Sequence, residues 1–498
     1  MTREKGEKGV KSFGKTSIAA DRRWVSLVLL CVGMLMIVLD NTVVNVALPS
    51  IEADLGFTPA GLAWVVNAYM IAFGGLLLLA GRLGDLIGSK RVFIAGLITF
   101  TGASLLCGVA FSRETLIVAR FVQGVGGAMA SSVILAMIVT MFREPAERAR
   151  AMGVFSFTAA AGGSIGLLIG GALTQLLNWH WIFLINVPIG IVATLLTLRL
   201  LESNAAIGLH AGADALGAFL ITASLMLAVY TVVEIPTFGA ISAHTFEFGA
   251  GAAVLFAAFI ARQATAAAPL LPLSVFRARN VAGSNVLQLL LVAALFGFFF
   301  LDSLYLRDVL GYDAVQTGLA FLPITLSIGA LSLGWSASLP ARFGPRPVVV
   351  AGLALATAGL AIFALAPLDG SYAGTILPAM LLLGTGMGAA FPSVMMFAMS
   401  SATANDSGLI SGLINTTAQV GGALGLAVLA TLSASRTHAV FASGAGTAIS
   451  LAAGYHLAFG IGSCFLAIAC VIAATVLQPP SASEPQSAGN ASHSRGGA

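Results

Sequence analysis

Long apolar runs alternate with short polar breaks along most of the chain, and the runs are about the length that crosses a bilayer. A span needs about 20 apolar residues to cross roughly 30 Å of hydrocarbon. Fourteen such runs can be read, near 25–48, 62–81, 92–111, 115–141, 151–176, 182–201, 215–234, 246–262, 281–305, 315–339, 347–367, 375–398, 407–433 and 455–477. The polar breaks carry the orientation. With the N-terminus inside, 20 of the 24 Lys and Arg residues fall in inner segments, and the outer loops hold only Arg113, Arg307 and Arg436. Basic residues mark the cytoplasmic side of a membrane protein, so the pattern predicts both termini in the cytoplasm. The first run is too long, and lacks the cleavage site, for a removable signal peptide.

The two halves echo each other. The inner turn after span two reads GRLGDLIGSKR, Gly81 to Arg91, and the one after span ten reads ASLPARFGPRP, Ala337 to Pro347, with a Gly and a basic residue at the same offsets. Span five carries Gly162, Gly166 and Gly170, followed by Gly171; span thirteen carries Gly408, Gly412, Gly421 and Gly425. Both are fifth in their half if spans seven and eight are an insertion. The predicted fold is therefore an all-α integral membrane protein of 14 transmembrane helices, with two pseudo-symmetric six-helix bundles and an inserted central helix pair. The predicted organisation is a basic cytoplasmic tail at 1–23, a first bundle at 24–201, the inserted pair with linkers at 202–265, a second bundle at 266–478 and a disordered cytoplasmic tail at 479–498. Duplicated bundles with a central site are the architecture of many secondary transporters.

Composition strengthens this picture. Of 498 residues, 58% are hydrophobic and only 9% charged, against about 25% charged in a soluble domain, so no soluble core would absorb these residues. The net charge of +4 comes from no basic patch of the kind that binds nucleic acid. Cys31, Cys107, Cys464 and Cys470 lie in apolar runs without metal-ligand spacing and read as packing thiols. Gly9 to Thr16, GVKSFGKT, fits the phosphate-loop pattern G-x-x-x-x-G-K-T, but that loop needs a preceding strand, and here it sits in a Lys-rich tail. Nothing forms a nucleophile–base pair or a metal cluster, so an enzyme and any bound cofactor are not expected.

Three charges fall within spans: Asp40 in span one, Arg120 in span four and Asp302 near the outer end of span nine. Each is costly in the bilayer, by about 2.5–3.5 kcal/mol even on insertion scales. Asp40 and Arg120 offset that cost best if they pair, or if each faces a water-filled cavity. Asp40 is then a proton carrier or one side of a structural ion pair holding spans one and four together. Asp302 reads as an acid near the headgroups or as a substrate-facing group. Asp85 reads as a helix cap or as a latch with a neighbouring Arg.

Several stretches resemble a known family. LDNTVVNVALP (Leu39 to Pro49), WVVNAYM (Trp64 to Met70), GRLGDLIGSKR, LIVARFVQGVGG (Leu116 to Gly127), WHWIFLINVPIG (Trp179 to Gly190) and INTTAQVGGALG (Ile414 to Gly425) are similar to motifs of 14-helix members of the major facilitator superfamily, of the QacA/EmrB-type drug:proton antiporter branch. The likeness covers residues 24 to 478. It implies proton coupling at Asp40 and Arg120, conformational gating by Gly81, Asp85, Gly88 and Arg91, and helix-five packing through Gly162, Gly166, Gly170 and Gly171. The substrate-cavity candidates are Asn41, Asn45, Asn67, Tyr69, Gln123 and Asp302. Three positions depart from the pattern: Leu167 follows Gly166 where a proline is usual, Ala341 replaces an acid, and Asp302 replaces an apolar residue.

The expected function is a proton-coupled exporter of lipophilic, cationic or neutral amphiphilic compounds, acting by alternating access. The alternatives are a dedicated exporter of one metabolite or antibiotic, a proton-coupled importer, or a non-transporting sensor. The expected partners are a small-molecule substrate, protons and the lipid bilayer, for a monomer in the cell membrane that binds neither nucleotide nor nucleic acid.

Overall fold

A computed structural model describes residues 7–142, 144–201, 208, 213–267, 269–334, 338–367, 370–400 and 407–478. Among them there are helices and no strands. The long helices are α1 (Glu7–Leu55), α2 (Pro59–Ile87), α3 (Ser89–Gly108), α4 (Arg113–Met141), α5 (Pro145–Leu176), α6 (Trp181–Leu200), α7 (Ala215–Val233), α8 (Ala243–Thr265), α9 (Arg279–Asp308), α10 (Ala314–Ser332), α11 (Pro345–Ala364), α12 (Tyr372–Met399), α13 (Ser407–Ala442) and α14 (Thr447–Thr475). Thirteen of them meet the length and hydropathy of a membrane span, and α5 carries a shorter apolar stretch, Ile165–Leu176. The 14-helix expectation holds. The tail predicted from residue 479 lies outside the described residues.

The predicted end of the first span was too early. Helix α1 continues past residue 48 to Leu55, with Pro49 inside it. The missing proline N–H costs one helical bond, and the carbonyl of Pro49 is met from the other half by Nη1 of Arg307. The GVKSFGKT segment is helical, within α1, so it lacks the strand-to-helix turn of a phosphate loop.

Helices in lipid gain little from apolar burial against one another, so close approach at small residues sets their packing. The duplication shows in where that approach occurs. In the first half, Gly96 of α3 lies against the backbone of Gly126 and Ala130 of α4. In the second, Gly352 of α11 lies against Gly386 and Ala390 of α12. Gly162, Gly166 and Gly170 seat α5 against Leu35, Val38, Thr42 and Val43 of α1, and Gly421 and Gly425 seat α13 against Leu289 and Ala293 of α9. The echoing inner turns match in conformation too: Gly88 has φ +98° and Gly344 φ +84°, a region in which side-chain-bearing residues are strained.

The halves meet reciprocally, the second helix of each packing on the fifth of the other. Gly74 of α2 faces Gln419 of α13, and Gly422 of α13 faces Met70 of α2. At the predicted outer end, Gly171 of α5 lies against the backbone of Ala314 of α10, and Gly318 of α10 against the carbonyl of Leu167. With Leu167 in place of the usual proline, α5 is one continuous helix from Pro145 to Leu176. We expect Gly171→Val to wedge this outer contact apart, because a Cβ there stands 2.6 Å from the Ala314 carbonyl oxygen. Labelling of a Ser50→Cys reporter by a membrane-impermeant thiol reagent added from outside should rise several-fold; equal labelling would mean that this contact does not hold the outer end closed.

The inserted pair sits on one side only. Helix α7 packs on both α2 and α13, and α8 packs on α7 with most of its surface outward. Asp214, the N-cap of α7, ties the pair together, accepting from Gly217 N–H at 3.0 Å, Arg262 Nε at 3.0 Å and Gln263 Nε2 at 2.8 Å. Burial alone would raise its pKa, but these three donors outweigh burial and hold it below the ordinary carboxylate value. A depressed folded pKa contributes stability above the unfolded value, and that contribution is lost as pH falls through the folded one. Asp214→Ala should therefore lower the thermal midpoint by a few degrees at pH 7, and the gap to wild type should close as the pH falls below the ordinary carboxylate range. A gap that stays constant with pH would assign the loss to packing.

Candidate functional site

The motif RFVQGVGG on α4 builds the site locally. Arg120 and Gln123 are buried at 1% and 0% exposure, one turn apart, while Gly124 and Gly127 on the next turn let Tyr69 of α2 come in against the helix. Tyr69 then lies under the guanidinium of Arg120, 4.5 Å from ring centroid to Cζ, with Phe183 of α6 at 5.7 Å.

Asp40, on α1, is 1% exposed. Nη1 of Arg120 donates to its Oδ2 at 2.5 Å and to Oε1 of Gln123 at 2.7 Å. Nε of Arg120 donates to the carbonyl of Val65 on α2 at 2.9 Å. Nε2 of Gln123 donates to Oδ1 of Asp40 and to Oγ of Ser104 on α3, each at 2.7 Å. Asn186 Nδ2 reaches the same Oδ1 at 3.5 Å. Five helices of the first half, α1, α2, α3, α4 and α6, thus converge on one ion pair. Of the two alternatives left by the sequence, the structure has the pair, and neither charge faces open water. A buried pair offsets its desolvation only when the remaining polar atoms are also satisfied, and Gln123, Ser104 and the Val65 carbonyl do that here.

Chemically, this arrangement has one group that can exchange a proton. Arginine stays protonated, whereas Asp40 can exist as a carboxylate bound to Arg120 or as a neutral acid whose attraction to it is weak. Gln123 can donate to either form.

The other candidates scatter. Asn41 and Asn45 bond along their own helix, to the Ile37 and Asn41 carbonyls, each at 3.0 Å. Asn67 is fully buried with neither amide atom partnered, and the Tyr69 hydroxyl also has no partner. Gln123 belongs to the ion-pair network. Asp302 lies in the other half, fully buried, and the headgroup reading is corrected accordingly. Of the gating residues, Gly88 makes the positive-φ turn, Asp85 lies 4.0 Å from Arg82, and Asp85 and Arg91 are exposed. Gly81 has room for a Cβ, with Ser132 at 3.9 Å; the steric need falls instead on Gly84, where a Cβ would stand 2.5 Å from Val133. Sequence reading passed over Gly84, Ser104, Asn186 and the Val65 carbonyl. Only Asn186 carried a signal, as a polar residue inside WHWIFLINVPIG.

A family model, that of the Major Facilitator Superfamily, matches residues 30–426. The chain is 38% identical over 462 residues to the puromycin resistance protein of Streptomyces alboniger, covering 91% of each chain. It is also 38% identical to the cephamycin export protein of Amycolatopsis lactamdurans, covering 94% of this chain and 95% of that one. Its fold resembles a solved bacterial homologue of the human lysosomal transporter Spinster, in an inward-facing conformation, with TM-score 0.65 at 17% identity over 91% of this chain and 96% of the other. The chain belongs to the major facilitator superfamily. It is a multi-pass membrane transporter of small molecules, not an enzyme.

Removing one member of a buried pair costs about 3–5 kcal/mol, because the partner is left uncompensated. Arg120→Leu should therefore destabilise the purified protein more than the double change Asp40→Asn with Arg120→Leu. Thermal midpoints of both single variants and the double variant check this; additive losses would mean that the two side chains do not depend on each other.

Proposed function

We propose that the protein is a proton-driven exporter of lipophilic small molecules, working by alternating access between its two halves. The observation that carries this reading is the buried carboxylate of Asp40, joined to Arg120 inside the first bundle of a two-bundle transporter. Export is supported by relatives named for antibiotic resistance and export. Protonation of Asp40 releases its hold on Arg120 and changes the balance between the outward- and inward-facing packings. Each proton moving inward gains about 2.3 kcal/mol per 100 mV, enough to bias such an equilibrium. The protein works as a monomer in the cell membrane, with both termini cytoplasmic and no cofactor.

A second reading, a dedicated exporter of one antibiotic, is favoured by the names of the two relatives above, each of which gives one kind of antibiotic. Proteoliposomes with an imposed pH gradient separate these readings. Ethidium should provoke proton movement opposite to its own in wild type, and Asp40→Asn should lose at least nine-tenths of it. Equal coupling in both proteins would remove Asp40 from the mechanism. Proton movement with puromycin and none with ethidium would select the dedicated exporter.

A further inference from the structure

Asp302 is the counterpart of Asp40 in burial and its opposite in surroundings. It is fully buried in α9, two turns before the outer end, and neither carboxyl oxygen meets a hydrogen-bond donor. Among the described residues no Lys, Arg or His side chain stands within ion-pair distance of it. An ionised carboxylate stripped of water with no partner costs several kcal/mol, so nothing in this packing compensates its charge.

Among the described residues, two tyrosines are in electrostatic reach of it: Tyr305, one turn further along α9, and Tyr372, at the start of α12. Tyr455 and His456 of α14 face Tyr305, with centroids 5.9 and 6.2 Å from its ring. Arg307 and Asp308, at the end of α9, lie 3.8 Å from each other, and Asp308 accepts from the Tyr455 hydroxyl at 3.0 Å. The Tyr372 hydroxyl donates to the Ala320 carbonyl of α10 at 3.0 Å, and Tyr372 interacts in turn with Tyr312. Tyr312 lines a pocket of about 510 Å³ at the outer end, between the halves, with Ser50, Asp54, Arg307 and Thr317 also in its wall. Tyr312, in the pocket wall, is thus in electrostatic reach of Tyr372, and Tyr372 of the buried carboxyl.

We propose that Asp302 is a second proton-binding site, seated in the second half and loaded from the outer pocket past Tyr312 and Tyr372, so that each half carries one transported proton. The proton forms an O–H bond on one Asp302 oxygen in the packing seen here. It leaves to water when the halves reorient and the inner side of α9 opens. This inference rests on the proton-driven reading above and extends it to the coupling ratio.

Infrared spectroscopy of the full-length protein in proteoliposomes tests the site directly. At neutral pH, wild type and Asp40→Asn should show the carbonyl band of a protonated carboxyl, and Asp302→Asn should lack it. The ratio of protons to ethidium, from the gradient at which net flux stops, should be lower by one proton in Asp302→Asn. It should return to the wild-type value in Asp302→Glu, which also controls for misfolding of the Asn variant. Absence of the band from wild type overturns the proposal, and so does an unchanged ratio in Asp302→Asn, which would make the neutral acid structural only. If wild type shows no ethidium-linked proton movement, the driving-force reading fails separately. The band then still decides whether Asp302 holds a proton, its presence supporting the site and its absence overturning it.

Discussion

Asp40 and Arg120 can share an interior without water only while both charges are answered by neighbouring polar groups, and that requirement fixes the relative positions of five helices. Arg120 spends its donors on Asp40, on Gln123 and on the Val65 carbonyl. Gln123 divides its amide between Asp40 and Ser104. Shifting α2, α3 or α4 by one turn, about 5.4 Å, would leave a charge or an amide unpaired at a cost of at least 1–3 kcal/mol per group. The glycines of α4 follow from the same constraint, because Tyr69 can lie beneath the guanidinium only if α2 approaches Gly124 and Gly127 closely.

The second half keeps the packing and abandons the chemistry. Its glycine contacts reproduce those of the first half at α11–α12 and α9–α13. In place of a charge network, however, Phe298 meets Phe363 at 5.0 Å and Phe459 at 6.0 Å, and Phe299 meets Phe321 at 5.4 Å. Duplication therefore conserved how helices touch, which depends on residue size, and left the polar content of each half free to diverge. Asp302 is the carboxyl left buried in this half, and its isolation follows from the lack of an arginine or glutamine on α12 where α4 has both.

Much of this was legible in the sequence for a simple reason: a bilayer imposes length and apolarity on each span, and both survive as runs in the chain. Asp40 and Arg120 stood out because charge is rare there; cost left open whether they pair or face a water-filled cavity, and the structure has the pair. Residues whose contribution depends on which helix faces which stayed hidden. Ser104 is one small polar residue in an apolar span, and the Val65 carbonyl has no sequence signature at all. The apolar run that marked span one ends near residue 48, whereas the helix runs on through Pro49 to Leu55, and the Pro49 carbonyl is taken up by Arg307 across the seam. Gly81 and Gly84 look alike in GRLGDLIGSKR; only the approach of Val133 separates them.

The inserted pair breaks the symmetry of the seams. Two bundles related by duplication meet at α2–α13 and at α5–α10, and the two contacts are reciprocal. Helix α7 lies along the first alone, with Thr222 against Gly75 of α2 and its Val232 carbonyl accepting from Thr431 of α13 at 3.1 Å. Because α7 holds one helix from each half, relative motion of the halves must either carry α7 with it or break these contacts. The α5–α10 seam has no helix laid across it and closes through backbone contact at Gly171 and Gly318, beside the hydrogen bond from the half-exposed Arg307 to the Pro49 carbonyl. Small residues in direct contact can separate without leaving buried polar groups unpaired, whereas parting α7 from α13 forfeits a hydrogen bond in lipid. The two seams are therefore mechanically unequal, and the α5–α10 side is the one at which the halves part at lower cost.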